Sequence, residues 1–434
     1  MIAVGFSLAP GKPFIERCAP VFAAADYMEV LPESLVDPRD SAGFRPNGYF
    51  RMALELQQRH GLRVVAHGTG LSVCTAHPLD GPRTGRWLER AAVLAERLGL
   101  EWYTDHAGIT APAGLNLTVP LDVPRSRGAR DAARARLAAL GHAIGAPVGV
   151  ENSVFYAPMS DPADEPRWLH SLIGDAHVWV LDVHNLWTHA LNFGLDIDRW
   201  LDDAPLHRVI ELHVSGGSQA DPRWTDGVPW RLDSHAAAVP EPVWALLAKI
   251  LPRCAAARGV TLERLDGTVE ASDVPILLAE LARIRETIAA VPDAPKPPPL
   301  PSAEESLVSG TAEEALRLEL RLADAWSARD PLAALQRLAD APDEPAWVRA
   351  ALAWAVGSPV GVGLTRRLIL RQRFERLLNG SAEADFWFTH DPASFARAFS
   401  DYAAEVPPAA FLPVDEAELY HRWLARSGHT AVHA

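Results

Sequence analysis

Over roughly the first 290 positions, short apolar runs rich in β-branched residues alternate with longer Ala/Leu/Arg stretches, in which apolar positions recur every three or four residues. The runs Ile2 to Phe6, Tyr27 to Leu31, Arg63 to His67 and Trp102 to His106 predict strands. So do Val148 to Glu151, Val178 to Val183, Val209 to His213 and Val260 to Glu263. Strands fully apolar and separated by helical segments belong to parallel sheets buried on both faces. Eight of them predict an α/β fold, a closed (β/α)8 TIM barrel.

Polar positions support closure more than the count does. Nearly every apolar run ends in His, Asp or Glu, and in such a barrel all C-terminal strand ends open into one mouth. The pattern changes near residue 291, where Pro292-Asp293-Ala294-Pro295-Lys296-Pro297-Pro298-Pro299-Leu300-Pro301 suits neither helix nor sheet. The expected organisation is a barrel domain over 1–290, a Pro-rich linker over 291–302, and a smaller all-α C-terminal domain over 303–434. Helical periodicity there covers Ala312 to Ser327, Trp347 to Val356, Leu364 to Leu378 and Pro392 to Ala404.

A length of 434 residues accommodates a barrel and an appendage, and 48% hydrophobic with 22% charged residues suits a folded chain with a large core. The formal charge of -14, with Lys and Arg scattered, disfavours a nucleic-acid partner, which needs clustered cations. Three cysteines, Cys18, Cys74 and Cys254, are too few and too dispersed for a disulfide framework, so a cytoplasmic location is expected. The first residues read as a strand rather than a signal peptide, and no apolar stretch reaches the ~20 residues of a membrane span.

The residues with candidate chemistry are His67, Asp105-His106, Glu151-Asn152, Asp182, His184-Asn185, His213, Asp233-Ser234-His235 and Glu263. Taken singly, a strand-end His or Asp is ordinarily a hydrogen-bonded core group or a helix cap. Gathered in one desolvated mouth, so many would each need a partner, and shared cations supply one. Mixed imidazole and carboxylate donors without thiolates suit iron, zinc or manganese and argue against an iron–sulfur cluster. His77, His189 and His207 read as structural, and Cys74 as an inert buried thiol. Trp244 reads as packing, whereas Trp224 and Trp230, in a Gly/Pro-containing loop, fit packing and binding equally.

The segments His67-Gly68-Thr69-Gly70, Thr104-Asp105-His106, Glu151-Asn152-Ser153, Leu181-Asp182-Val183-His184-Asn185-Leu186, Leu212-His213, Asp233-Ser234-His235 and Leu262-Glu263-Arg264 resemble the DUF692 family. These are the multinuclear non-haem iron-dependent oxidative enzymes, similar in fold to xylose-isomerase-like barrels and to endonuclease IV. The resemblance implies two or three iron ions, Fe(II) and Fe(III), with dioxygen as co-substrate. The substrate would be a ribosomally made precursor peptide, with cysteine the usual target, presented by a recognition partner protein or here by the fused C-terminal domain. Carried over, His67, His106 and Glu151 would hold one metal; Glu151 would bridge to a second held by Asp182, His213 and Glu263; Asn185, Asp233 and His235 would hold a third. Asp182, Glu263 and His184 are then the catalytic candidates. Two departures stand out: His184 replaces the first Asn of the family's usual Asn-Asn, and Gly217 stands where a further His is common. Zinc-dependent phosphodiester hydrolysis and divalent-metal sugar isomerisation or epimerisation are the competing chemistries for such a barrel.

Overall fold

The structure is a computed structural model that describes residues 2–36, 45–79, 81–291 and 307–429. The strands are β1 (Ala3–Leu8), β2 (Tyr27–Val30), β3 (Arg63–Gly68), β4 (Leu100–His106), β5 (Val148–Glu151), β6 (Val178–Asp182), β7 (Val209–Val214) and β8 (Gly259–Leu262). Each pairs in parallel with the next, and β8 pairs with β1 to close the barrel. Helices lie between them, as the alternation of periods predicts. Helix ends follow local chemistry: Ser126 caps Arg127–Ile144 by accepting from Ala129 N, and Gly145, at a φ of 65°, ends it in the left-handed conformation.

Strand register delivers the polar ends side by side. His106 is the Cα partner of Glu151 across β4 and β5, and Asp182 that of His213 across β6 and β7. One layer below, the barrel interior is plugged by Tyr27, Trp102, Glu211 and Thr261. Gly5 and Gly259 make room for the Tyr27 ring, since a Cβ on either would come within 2.4 Å of it. Glu211 accepts from Tyr27 Oη (2.8 Å), Trp102 Nε1 (2.6 Å) and Thr261 Oγ1 (2.5 Å), so this buried carboxylate is fully engaged.

The C-terminal region is helical: Ala312–Ser327, Pro331–Ala339, Ala346–Val356, Pro359–Gly380, Ala382–His390, Pro392–Glu405 and Pro413–Ser427. The proline-rich linker expected over 291–302 lies, beyond Val291, outside the described residues. The helical domain is pinned to the barrel. Glu319 enters the loop after β3, accepting from Thr75 Oγ1 (2.5 Å) and Ala76 N (2.6 Å). Helix Pro359–Gly380 packs on the loop after β5, where Ser358 Oγ donates to Tyr156 O (3.1 Å). Gly361 is required there, because a Cβ would lie 1.6 Å from that carbonyl. No single helix among the described residues is long and apolar enough to cross a membrane.

Candidate metal centre

The strand ends build a pocket around Glu151, whose carboxylate is buried at the end of β5. Its Oε2 lies 3.1 Å from His67 Nε2 and 2.9 Å from His106 Nδ1, and its Oε1 lies 3.1 Å from His213 Nδ1. Thr104 Oγ1, 2.9 Å from His67 Nδ1, orients the first ring, and Ser153 Oγ, 2.9 Å from His106 Nδ1, the second. His213 Nδ1 also lies 3.4 Å from Glu263 Oε2, just past β8. The donor atoms of Glu151, Asp182, His213 and Glu263 all fall within 4.8 Å of one another, and those of His67, Glu151 and His213 do likewise.

Asp182, the last residue of β6, caps the helix Val183–Phe193, accepting from Asn185 N through Oδ1 (2.7 Å). That cap aims Oδ2 elsewhere and puts Asn185 in the first helical turn. Asn185 Nδ2 donates to Asn152 O (3.2 Å), leaving its Oδ1 without a partner. Asp233 and His235 come from the long loop after β7 and meet at 2.7 Å, with His235 Nε2 3.8 Å from Glu263 Oε2. His235 has a φ of 46°, an uncommon conformation for a residue with a side chain. Side chains of His106, Asp233 and His235 are 14%, 19% and 18% exposed, whereas Glu151, Asp182 and His213 are sealed, so the former three form the rim.

The candidate residues are therefore brought together in two touching groups. His67, His106, Glu151, Asp182, His213 and Glu263 form one group, with His106 at its rim; Asp233 and His235 form the outer one, and Asn185 stays beside Asp182 and Asn152. His184 is buried with Nδ1 3.7 Å from Asp233 Oδ1. The two departures from the family pattern meet here: a Cβ on Gly217 would lie 2.6 Å from the His184 ring, which fills that space. Asp105, adjacent to His106, accepts instead from Leu71 N (3.2 Å) and belongs to neither group.

Two acidic residues were missed by attention to strand ends. Glu29, inside β2, places Oε2 2.9 Å from His213 Nε2, and Glu211, inside β7, lies 3.7 Å from the same nitrogen. A signal existed in each case: a carboxylate within an otherwise apolar strand, and in Glu211 one two residues from His213 on the same face.

Charge balance decides what the pocket wants. Among the described residues no Lys or Arg pairs with the six carboxylates Glu29, Glu151, Asp182, Glu211, Asp233 and Glu263, and the ion pairs that five of them form, all but Asp182, are with histidines. Burial and the neighbouring Glu151 and Glu263 push Asp182 well above the usual carboxylate range. Burial would also raise Glu151, but His67 and His106 hold it well below. Burial opposes a charge on His67, yet Glu151 outweighs it and pushes the imidazole up to about 10. His213 and His235 are raised by Glu263 and Asp233 in the same way, against their burial. Protonated histidines thus supply the missing positive charge. Bound cations can supply it instead, taking the imidazole lone pairs that the protons would otherwise occupy.

The donor set fits metal ions. Glu151 Oε2, Asp182 Oδ2, Asn185 Oδ1, Asp233 Oδ1, His235 Nε2 and Glu263 Oε2 are buried and make no hydrogen bond. Metal–ligand bonds of about 2.0–2.2 Å place neighbouring ligands on the order of 3 Å apart, the spacing seen around Glu151. Other candidates resolve as structural. His77 lies 3.7 Å from Glu319, and His189 lies 3.5 Å from Glu165. Trp230 packs with Tyr156, Phe193 and Leu364, and Trp244 donates to Val239 O. The aromatic stretches Phe386 to Phe388 and Phe395 to Tyr402 mostly form the helical domain's own core.

Residues 5–289 match the family described as RiPP precursor modification enzyme MbnB/TglH/ChrH. A UPF0276 protein of Rhizorhabdus wittichii is 30% identical over 256 residues, 57% of this chain and 84% of that one. Another, from Streptomyces avermitilis, is 31% identical over 288 residues, covering 64% of this chain and 54% of that protein. Among solved structures, a xylose isomerase domain protein from Planctomyces limnophilus aligns with a TM-score of 0.42 at 15% identity, over 67% of this chain and 96% of that one.

Proposed function

The chain belongs to the RiPP precursor modification enzyme family MbnB/TglH/ChrH, and from that premise we propose that it is a multinuclear non-haem iron oxidative enzyme. It uses dioxygen to modify a residue, cysteine, of a ribosomally synthesised precursor peptide. The observation that carries this reading is the surplus of buried, unpartnered oxygen and nitrogen donors around Glu151. Two or three ions are assigned to His67, His106, Glu151, Asp182, His213 and Glu263, with Asn185, Asp233 and His235 completing the outer position. When bound, iron supplies the redox chemistry that no protein side chain here provides.

The protein's own contribution is positioning and proton handling. The sealed floor formed by Tyr27, Trp102, Glu211 and Thr261 keeps water from entering beneath the cluster. Asp182 and Glu263 each keep one oxygen unengaged, and His184 Nδ1 is likewise without a hydrogen bond beside Asp233. Of these, His184 is assigned to hold a proton released as the substrate is oxidised, while the free oxygens of Asp182 and Glu263 serve the reaction by binding the metal ions. Peptide handling is assigned to the groove of about 700 Å3 between the mouth loops and the helical domain. Val228 and Trp230 line one side and Trp354 and Val360 the other, and Trp230 lies three residues from Asp233 in the same loop.

The test is metal analysis and an optical spectrum of anaerobically purified protein, followed by co-expression with a short peptide encoded beside its gene and mass spectrometry. Iron, charge-transfer bands and an oxygen-dependent mass change are expected. Colourless zinc with phosphodiester cleavage, or manganese or cobalt with sugar isomerisation, would overturn the reading.

A further inference from the structure

His213 is the one imidazole in the pocket flanked by carboxylates on both ring nitrogens. Nδ1 faces Glu151 Oε1 at 3.1 Å and Glu263 Oε2 at 3.4 Å, and Nε2 faces Glu29 Oε2 at 2.9 Å and Glu211 Oε1 at 3.7 Å. A nitrogen that ligates a cation must offer its lone pair, so the proton of a neutral ring sits on the other nitrogen. The Nδ1 side holds the carboxylates of the cluster; the proton therefore belongs on Nε2.

The two carboxylates on that side are not equivalent. Glu211 already accepts from Tyr27, Trp102 and Thr261. Glu29 Oε2 and His213 Nε2 are both buried, lie 2.9 Å apart, and neither has a hydrogen bond to any other group. We propose that Glu29 is a positioning residue that holds the Nε2 proton of His213, fixing the ring tautomer that turns Nδ1 toward the metal cluster. Glu29, His213 and the cation then form a carboxylate–histidine–metal line, in which the rear carboxylate raises the basicity of the ligating nitrogen. This rests on the reading that the cluster binds transition metal. The same three residues, Glu29, Glu211 and His213, also gather within 4.8 Å as a candidate site of their own. Full engagement of Glu211 by three donors disfavours that use.

The experiment titrates Co(II) into metal-free full-length wild type, Glu29→Gln and Glu29→Leu, with the d–d spectrum and bound stoichiometry as readouts. Gln keeps an acceptor oxygen but loses the charge; Leu loses both. At unchanged stoichiometry, affinity should fall by about tenfold for Glu29→Gln and toward a hundredfold for Glu29→Leu, the range for outer-shell partners, with shifted ligand-field bands in both. Thermal melts of the metal-free forms check folding, and Glu29→Asp, which should restore part of the affinity, keeps the test open if either variant fails to fold. Wild-type affinity and spectrum in Glu29→Leu would overturn the inference while leaving the metal reading intact. Loss of one whole Co(II) equivalent with unshifted bands would also overturn it, by making Glu29 a direct ligand. Failure of wild type itself to bind Co(II) would sink the metal reading together with the inference.

Discussion

Two buried glutamates in this chain, Glu416 in the helical domain and Glu151 in the barrel, have opposite surroundings. Glu416 accepts from Arg373 Nε (2.9 Å) and Tyr402 Oη (2.6 Å) through Oε1, and from Arg376 Nη2 (3.4 Å) through Oε2. Arg373 in turn donates to Val406 O and Arg376 to Thr118 Oγ1. Permanent cations from the same fold balance that carboxylate, which is how a structural ion pair survives desolvation. Among the described residues the cations paired with Glu151 are histidines, and one of its oxygens makes no hydrogen bond. Burial alone therefore says little about function. A surplus of acceptors over permanent cations in a buried pocket marks a place that could hold metal ions.

The sharpest break of this comparison is a matched pair of substitutions. Glu151→Gln should reduce metal content measured by mass spectrometry and bring turnover to background, while the metal-free protein loses less stability than an arginine pairing would, because an imidazole left without its carboxylate can release its proton. Glu416→Gln should do the reverse. Breaking a buried ion pair by removing one partner costs about 3–5 kcal/mol, read as a lower denaturant midpoint, with metal bound per folded molecule unchanged. Equal destabilisation by the two variants would erase the distinction.

A weaker effect separates the two clusters by pH. His67, His213 and His235 have folded pKa values raised above the usual imidazole value, so their contribution to stability is full below about pH 6.5. It is lost as pH rises through the folded values, about 10 for His67. Metal-free protein should therefore melt at progressively lower temperature between pH 6.5 and 10. Metal-loaded protein should not follow, since its ligating imidazoles are already neutral and metal binding itself releases protons. A flat profile for the metal-free form would mean that the carboxylates are not held by imidazolium charge.

The barrel was legible because its signal repeats. β5 falls on the expected Val148 to Glu151, and the other strands shift by one or two residues at their ends. His67, Glu151, Asp182, His213 and Glu263 announced themselves as polar residues closing apolar runs, and the barrel's geometry then brought them together. Glu29 was harder to find because it interrupts an apolar run instead of closing it, so that its only signal is the cost of burying a carboxylate inside a strand. The helical domain was less legible. Helix Ala312–Ser327 was plain from its period, but Pro331–Ala339, Ala382–His390 and Pro413–Ser427 were not marked. Local composition cannot tell an outward aromatic ring from a packed one, and here Phe388 packs on Phe374 and Phe395 on Tyr420. Pairing of Glu416 with Arg373 was equally invisible, being a contact between helices 43 residues apart.

The smallest expected effect concerns the three thiols, and it tests whether the metal pocket recruits sulfur. Cys18, Cys74 and Cys254 are buried, at 0%, 1% and 3% exposure. Burial pushes the Cys18 thiol up to about 11 and Cys254 to about 12, and raises Cys74 further. Nucleophilic attack needs both access and thiolate, and neither is available at pH 8. Iodoacetamide should therefore label the native protein at none of the three positions over the time in which the denatured chain is labelled at all of them. Co(II) should leave the native result unchanged, because no cysteine belongs to the donor groups around Glu151. A thiol protected or activated by the metal would show that sulfur reaches the cluster, and the oxygen-and-nitrogen ligand set that separates this pocket from the closed Glu416 pairing would have to be redrawn.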